Sequence, residues 1–364
     1  MKTEKILLIV NPVSGRAKSR DGLYEILDEL YRDDAEEAAI SRPPLKAVAR
    51  PMSAGPAPAP LAPLPFGNLT ATTLGGDPNP DRRVTVAPTM HRGHASMMAA
   101  TAAEEGYDTV ICCGGDGTFN ETVSGLMRVP ADQRPVLGYI PAGSTNDFAA
   151  TMGLSGNLRA AARTAVGEHE TPIDVGHFRP IGMNHHPAKH FTYIASFGAF
   201  TAASYSTSQT AKNLFGHVAY LVSGIKDIAN IQPHHAAFDL PDGTHIEGDY
   251  IFGAVTNTTS AGGVIKLPAD LVCMSDGKFE LFLIHIPKTP ADLQRIAAAL
   301  LAQDFDGCPL IDLYHIESVR ILLDENLSWS LDGEEALGGK RIEIHCIGGG
   351  VKLKTARSCI RGNP

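Results

Sequence analysis

The sequence predicts an α/β protein in two parts: a doubly wound parallel sheet first, then a mainly antiparallel β-sandwich. Three observations carry this. Short apolar runs alternate with helical spacing up to about residue 150. Beyond residue 170, strand-like runs dominate, and Asp242-Gly243, Asp276-Gly277 and Asp332-Gly333 punctuate them as hairpin signals. Between strand-like and helix-like stretches stands Gly114-Gly115-Asp116-Gly117, with three glycines in four residues.

Taken in order, Ile6 to Val10 is a continuous apolar run of the kind that forms a central parallel strand, ended by Asn11-Pro12. A helix through Leu23, Ile26, Leu27 and Leu30 follows. Residues 41–80 are rich in Pro and Ala without periodicity, and read as a flexible insertion. Regular structure resumes with a strand at 83–87, a helix at 93–105, a strand at 109–113, a helix at 119–128 and a strand at 137–140. Three unusual loops, beginning at Asn11, Gly114 and Gly143, each follow a strand. In a parallel sheet they converge at one edge, where such sheets bind ligands.

The second half offers strand-like runs at 173–178, 190–197, 235–239, 244–255, 279–286, 315–323, 327–331 and 341–347, with helices near 209–230 and 290–302. The expected division is residues 1–155, residues 156–350, and a segment 351–364 that returns to the first domain.

Composition narrows the function. A net charge of −9 argues against nucleic acid as a partner, and no GxxxxGK[ST] is present. GxGxxG is missing too, because Asn120 occupies the third glycine's place. The six Cys form no CxxC pair, and they read as free thiols in a reducing cytoplasm. No apolar run reaches the roughly 20 residues that span a bilayer. His185-His186 and His234-His235 lack a third ligand at metal spacing and read as solvated loop residues. Bare amides at the start of the helix behind Gly114, Gly115 and Gly117 make a phosphate cradle. Asp116 inside that cradle calls for a metal or a hydroxyl, because a bare carboxylate would repel phosphate.

Gly114-Gly115-Asp116-Gly117-Thr118, preceded by Asn11-Pro12-x-Ser14-Gly15 and followed by Pro141-Ala142-Gly143-Ser144-Thr145-Asn146-Asp147-Phe148, resembles the diacylglycerol kinase catalytic-domain family, which includes sphingosine and ceramide kinases. Phosphofructokinases and NAD kinases share the GGDG element alone, and the resemblance implies their type of fold for the first domain. It implies ATP across the glycine loop, with Asn11, Thr89, Gly114, Gly115, Asp116, Gly117, Thr118, Asn120, Gly143 and Ser144 as its contacts. It implies Glu334, in Leu331-Asp332-Gly333-Glu334, as the base that receives the lipid hydroxyl proton, with Asp116 sharing the catalytic work. It implies Mg²⁺ at Asp276 with the carbonyls of Cys273 and Lys278, oxygen ligands that suit this ion. The implied partners are a diacylglycerol-like lipid alcohol and, transiently, a membrane surface. The chain would be cytoplasmic and peripheral to the membrane, and a homodimer is compatible with it. Ala195 to Phe200 and Val255-Thr256-Asn257 offer an apolar, small-residue lining for the acceptor. Thr201-Ala202-Ala203 stands where several relatives have an Asp, which argues against an amino-alcohol acceptor. A kinase of a soluble acceptor such as NAD, and a catalytically silent nucleotide or lipid sensor, are the alternatives.

Overall fold

The computed structural model describes residues 3–32, 81–183, 188–198, 232–261 and 265–356. The 41–80 insertion, His185-His186, Thr201-Ala202-Ala203 and the helix expected at 209–230 lie outside them.

Strands β1 (Glu4–Val10), β2 (Arg82–Pro88), β3 (Thr109–Gly114) and β4 (Val136–Pro141) form a parallel sheet in the order β2-β1-β3-β4. Strand side chains alternate between faces, and both faces of β1 are apolar. Ile6, Leu8 and Val10 pack with Ile26, Leu27 and Leu30 of α2 (Leu23–Leu30) and with Leu158, Ala161, Ala162 and Ala165 of α6 (Leu158–Ala165). Leu7 and Ile9 face the other way. There they join Met98 and Ala99 of α3 (His94–Thr101), Phe119, Val123 and Leu126 of α4 (Asp116–Leu126), and Phe148 of α5 (Asp147–Thr151). Helices therefore cover both faces, after a short α1 (Lys18–Asp21). Ile6, Leu8 and Ile9 are fully buried, each contributing about 1.5–3 kcal/mol over an exposed position.

The remaining strands are β5 (Glu170–Pro180), β6 (Lys189–Phe191), β7 (Ile194–Gly198), β8 (His234–Asp239), β9 (His245–Thr256), β12 (Phe279–His285), β13 (Ile311–Ile316), β14 (Ser318–Leu331) and β15 (Glu334–Lys354), with a small ladder of β10 (Ser260–Ala261) and β11 (Ile265–Lys266). α7 (Pro290–Ala302) opens on a Thr289–Asp292 capping box. This half is one antiparallel sheet in the order β13-β12-β9, then β7 and β8 end to end, then β14-β15-β5-β6. It curls until β6 comes against β12, the strand next to the other end: Phe191 and Phe279 have ring centroids 5.5 Å apart. Trp329, fully buried, packs at 4.9 Å from Phe197 and 5.2 Å from Phe178 inside the curl. The tail of β15 reaches the parallel sheet, where Leu353 pairs with Leu137 of β4.

The sheet places several boundaries differently from the sequence. The 190–197 run is two strands, broken at Thr192-Tyr193. Residues 315–323 belong to β13 and β14, which split at Glu317. α4 begins at Asp116 rather than Phe119, so Asp116, Gly117 and Thr118 form its first turn and not a loop.

Burial, then the neighbouring His177, hold His190 down to about 4 from its ordinary 6.5. A depressed histidine stabilises the fold above the unfolded value and loses that contribution as pH falls through the folded one. Stability should therefore drop by about 1–3 kcal/mol between pH 6.5 and pH 4, discounted for partial exposure. Denaturant titrations of wild type and His190→Gln across this window should show a flatter slope in the variant.

Candidate active site

The loops after β1, β3 and β4 meet at the carboxyl edge of the parallel sheet, backbone against backbone. A Cβ on Gly143 would lie 2.5 Å from the Cα of Gly115, and one on Gly15 would lie 2.0 Å from the Ala142 carbonyl oxygen. Real Cβ atoms do not approach so closely, so only glycine lets these loops touch. Ala142 N–H donates to the Gly114 carbonyl at 2.8 Å, and Asn11 N–H to that of Cys113 at 2.9 Å. The side-chain amide of Asn11 donates to Thr118 Oγ1 at 2.9 Å. Thr89 lies just beyond β2, its N–H donating to the Val10 carbonyl at 2.8 Å, and Ser144 is exposed on the rim.

Gly115, in extended conformation, caps α4. The Phe119 N–H closes the first turn onto the Gly115 carbonyl at 3.0 Å. The amides before it have no acceptor in the helix, and they point out of its positive end. An anion is the complement of that surface.

Asp116 is built differently from the sequence expectation. Its Oδ2 accepts the Asp147 N–H at 3.2 Å and its Oδ1 the Phe148 N–H at 3.4 Å, so it caps α5 and fastens the 143–148 loop to α4. Burial raises its pKa, against the pull of those N–H donors. Asn120 has its side-chain amide engaged by the second half of the chain. Its Nδ2 donates to Asp332 Oδ2 at 2.7 Å and to the His190 carbonyl at 3.2 Å.

Asp332 is the residue that local sequence concealed. Asp332 and Gly333 have φ of 50° and 82°, the two positive values of a tight hairpin turn between β14 and β15. The carboxylate is buried and accepts from the N–H groups of Thr192, Tyr193 and Ile194, from the Thr192 hydroxyl and from Asn120. Burial raises its pKa despite these donors. The Asp-Gly pair signalled the turn, but nothing local signalled its five distant donors.

That hairpin sets Glu334 over the cradle. A Cβ on Gly117 would lie 3.7 Å from Glu334 Oε1, and Arg92 Nη2 donates to Glu334 Oε2. Asp116, Glu334 and the glycine turn are thus brought together, while Asp276 sits elsewhere. Lys278 N–H donates to Asp276 Oδ1 at 3.0 Å. The turn around it is tied down by buried Asp174, which accepts from Gly277 and Gly349, both at 2.7 Å. Burial, followed by donors that oppose it and by the Asp276 charge, leaves Asp174 raised. Asp174 and Asp276 lie at one turn, and carboxylate and turn-carbonyl oxygens are the donor type that a divalent cation takes. Among the described residues no group of three His, Cys, Asp or Glu side chains could hold a metal alone. Near Tyr193, the side chain of Asn257 is fully buried, and its Nδ2 and Oδ1 have no hydrogen-bond partner.

Residues 73–178 match the family model of the diacylglycerol kinase catalytic domain. A diacylglycerol kinase of Bacillus subtilis (strain 168) is 32% identical over 243 residues, covering 66% of this chain and 76% of the relative. The chain belongs to the diacylglycerol kinase family, and is a lipid kinase at that level. A diacylglycerol kinase of Staphylococcus aureus (strain JH9) is 30% identical over 251 residues, covering 68% and 74%. The fold is also that of a crystal structure of a diacylglycerol kinase from Bacillus anthracis str. Sterne, with a TM-score of 0.61 at 21% identity over 98% of both chains. The family-model match takes in the glycine turn, Thr89 and the 143–148 loop, whereas Asn11, Asp276 and Glu334 lie outside it. Among the described residues no helix is long and apolar enough to cross a membrane.

If the glycine contact holds the site together, Gly143→Ala must pry two loops apart. Affinity for a non-hydrolysable ATP analogue should fall at least about tenfold in calorimetry, the cost of one or two charge-assisted hydrogen bonds. Ser144→Ala, on the exposed rim, should lose much less.

Proposed function

We propose that this chain transfers the γ-phosphoryl group of ATP to the primary hydroxyl of diacylglycerol or a closely related lipid, with Mg²⁺. The observation that carries this reading is Glu334 held across Gly117, a carboxylate facing the amides that would receive the phosphates. In this position Glu334 accepts the proton of the attacking hydroxyl, which is the demand phosphoryl transfer makes on a protein base. The amides of the first α4 turn, with those of Ser144 and Thr145 and with Asn11 and Thr89 beside them, bind and orient the triphosphate. Asp116 keeps the two phosphate-facing loops in register through the Asp147 and Phe148 amides. Asp276, with the carbonyls of Cys273 and Lys278, would hold Mg²⁺ away from the glycine turn, where the ion when bound would offset the charge of the Asp174 and Asp276 carboxylates. The acceptor enters beside Asn257 and β7. Val13 and Met90, strongly exposed in the loops after β1 and β2, support a transient contact of this edge with lipid.

Labelled ATP should be offered with micellar diacylglycerol, a total lipid extract or NAD, to wild type, Glu334→Gln and Asp116→Asn. The label should enter lipid and not NAD. Glu334→Gln should lower kcat by roughly 10²–10⁴-fold, and Asp116→Asn should raise KM for ATP as the loops separate. Transfer to NAD in preference to lipid, or a Glu334→Gln variant turning over at the wild-type rate, overturns the reading.

A further inference from the structure

Arg92 is unexplained by any of this, and its surroundings are unusually well built. It lies in the turn between β2 and α3. Gly93 N–H donates to Glu121 Oε1 at 2.7 Å, Met90 N–H to His94 Nδ1 at 3.0 Å, and His94 N–H to the His91 carbonyl at 3.2 Å. The rings of His91 and His94 stack at 4.9 Å. Glu121 is four residues on from Gly117, so both stand on one face of α4. The turn that carries Arg92 is therefore bolted to the helix whose first turn forms the phosphate cradle.

The guanidinium reaches from that turn to Glu334, and Glu334 in turn faces Gly117. Both side chains are open to solvent, 76% and 47% exposed, so their pairing is weak and easily exchanged. Around the cradle, the described carboxylates Asp116, Asp332 and Glu334 would all repel a polyphosphate. A guanidinium matches phosphate oxygens with paired N–H donors, and it binds them more strongly than it holds one exposed carboxylate.

Building on the nucleotide reading above, we infer that Arg92 clamps the terminal phosphate of the nucleotide. Glu334 competes with that phosphate for the guanidinium, so that nucleotide binding frees the base for its acceptor. Arg92 would then act twice, as a phosphate contact and as the group that sequesters Glu334 until phosphate arrives.

Calorimetric titration of AMP-PNP and of ADP, each with Mg²⁺, into the full chain tests this without recourse to turnover. The set is wild type, Arg92→Gln, Arg92→Lys, Glu334→Gln and the double variant Arg92→Gln/Glu334→Gln. Arg92→Gln should weaken AMP-PNP by roughly 10- to 100-fold, the value of a hydrogen bond to a charged group, and weaken ADP far less; Arg92→Lys should fall between. Glu334→Gln should bind AMP-PNP several-fold more tightly than wild type, and this gain should vanish in the double variant. Arg92 is exposed, so unchanged melting temperatures should show that the variants fold. Equal AMP-PNP affinity in wild type and Arg92→Gln, or a Glu334→Gln gain that persists without Arg92, overturns the inference and leaves the nucleotide site standing. Failure of the wild type to bind AMP-PNP at all overturns the nucleotide reading beneath it.

Discussion

Everything at the carboxyl edge of the parallel sheet depends on main chain meeting main chain where Gly115 faces Gly143. With a Cβ on Gly143 held 2.5 Å from its neighbour's Cα, no other residue leaves both loops in place. The contact brings the start of α4 against the 142–146 loop, where Gly143 N–H donates to Asn146 Oδ1 at 2.9 Å and the first-turn amides of α4 stay without a helical acceptor. That edge complements an anion, since an α-helix start offers unsatisfied donors and a favourable dipole.

Two buried carboxylates brace the arrangement. Asp116 ties α4 to α5, and Asp332 ties the β14–β15 hairpin to the Thr192-Tyr193 break, to the start of β7 and to the Asn120 amide. Asp332 carries five donors, which is what a carboxylate fully out of water requires. Because Glu334 follows Asp332 by two residues in a tight turn, fixing one fixes the backbone of the other. The hairpin and the catalytic candidate are thus held by a single acid, which with the β15–β4 pairing joins the curled second half to the first.

The sequence was legible wherever a local rule sufficed. The apolar runs of β1, β3 and β4 showed themselves, as did the three loops after parallel strands and the Asp332-Gly333 turn. Other features needed partners far along the chain. Asn120 looked like a failed third glycine, but its amide serves Asp332, 212 residues away. The first turn of α4 contains a glycine, which lowers helix propensity, so the helix read as starting at Phe119. Arg92 stands in a segment that offers no periodic signal, and only the fold shows Glu334 at its guanidinium and Glu121 on the next residue's amide. Asp147 was read within a motif, and its place beside Asp116 comes from the α4–α5 junction.

Residue-resolved amide hydrogen exchange, with and without a non-hydrolysable ATP analogue and Mg²⁺, tests the central claim most directly. The amides of residues 115–118, 144 and 145 should slow markedly on nucleotide addition, more than any others in the chain. Unchanged exchange at those amides, with protection arising elsewhere, would contradict it.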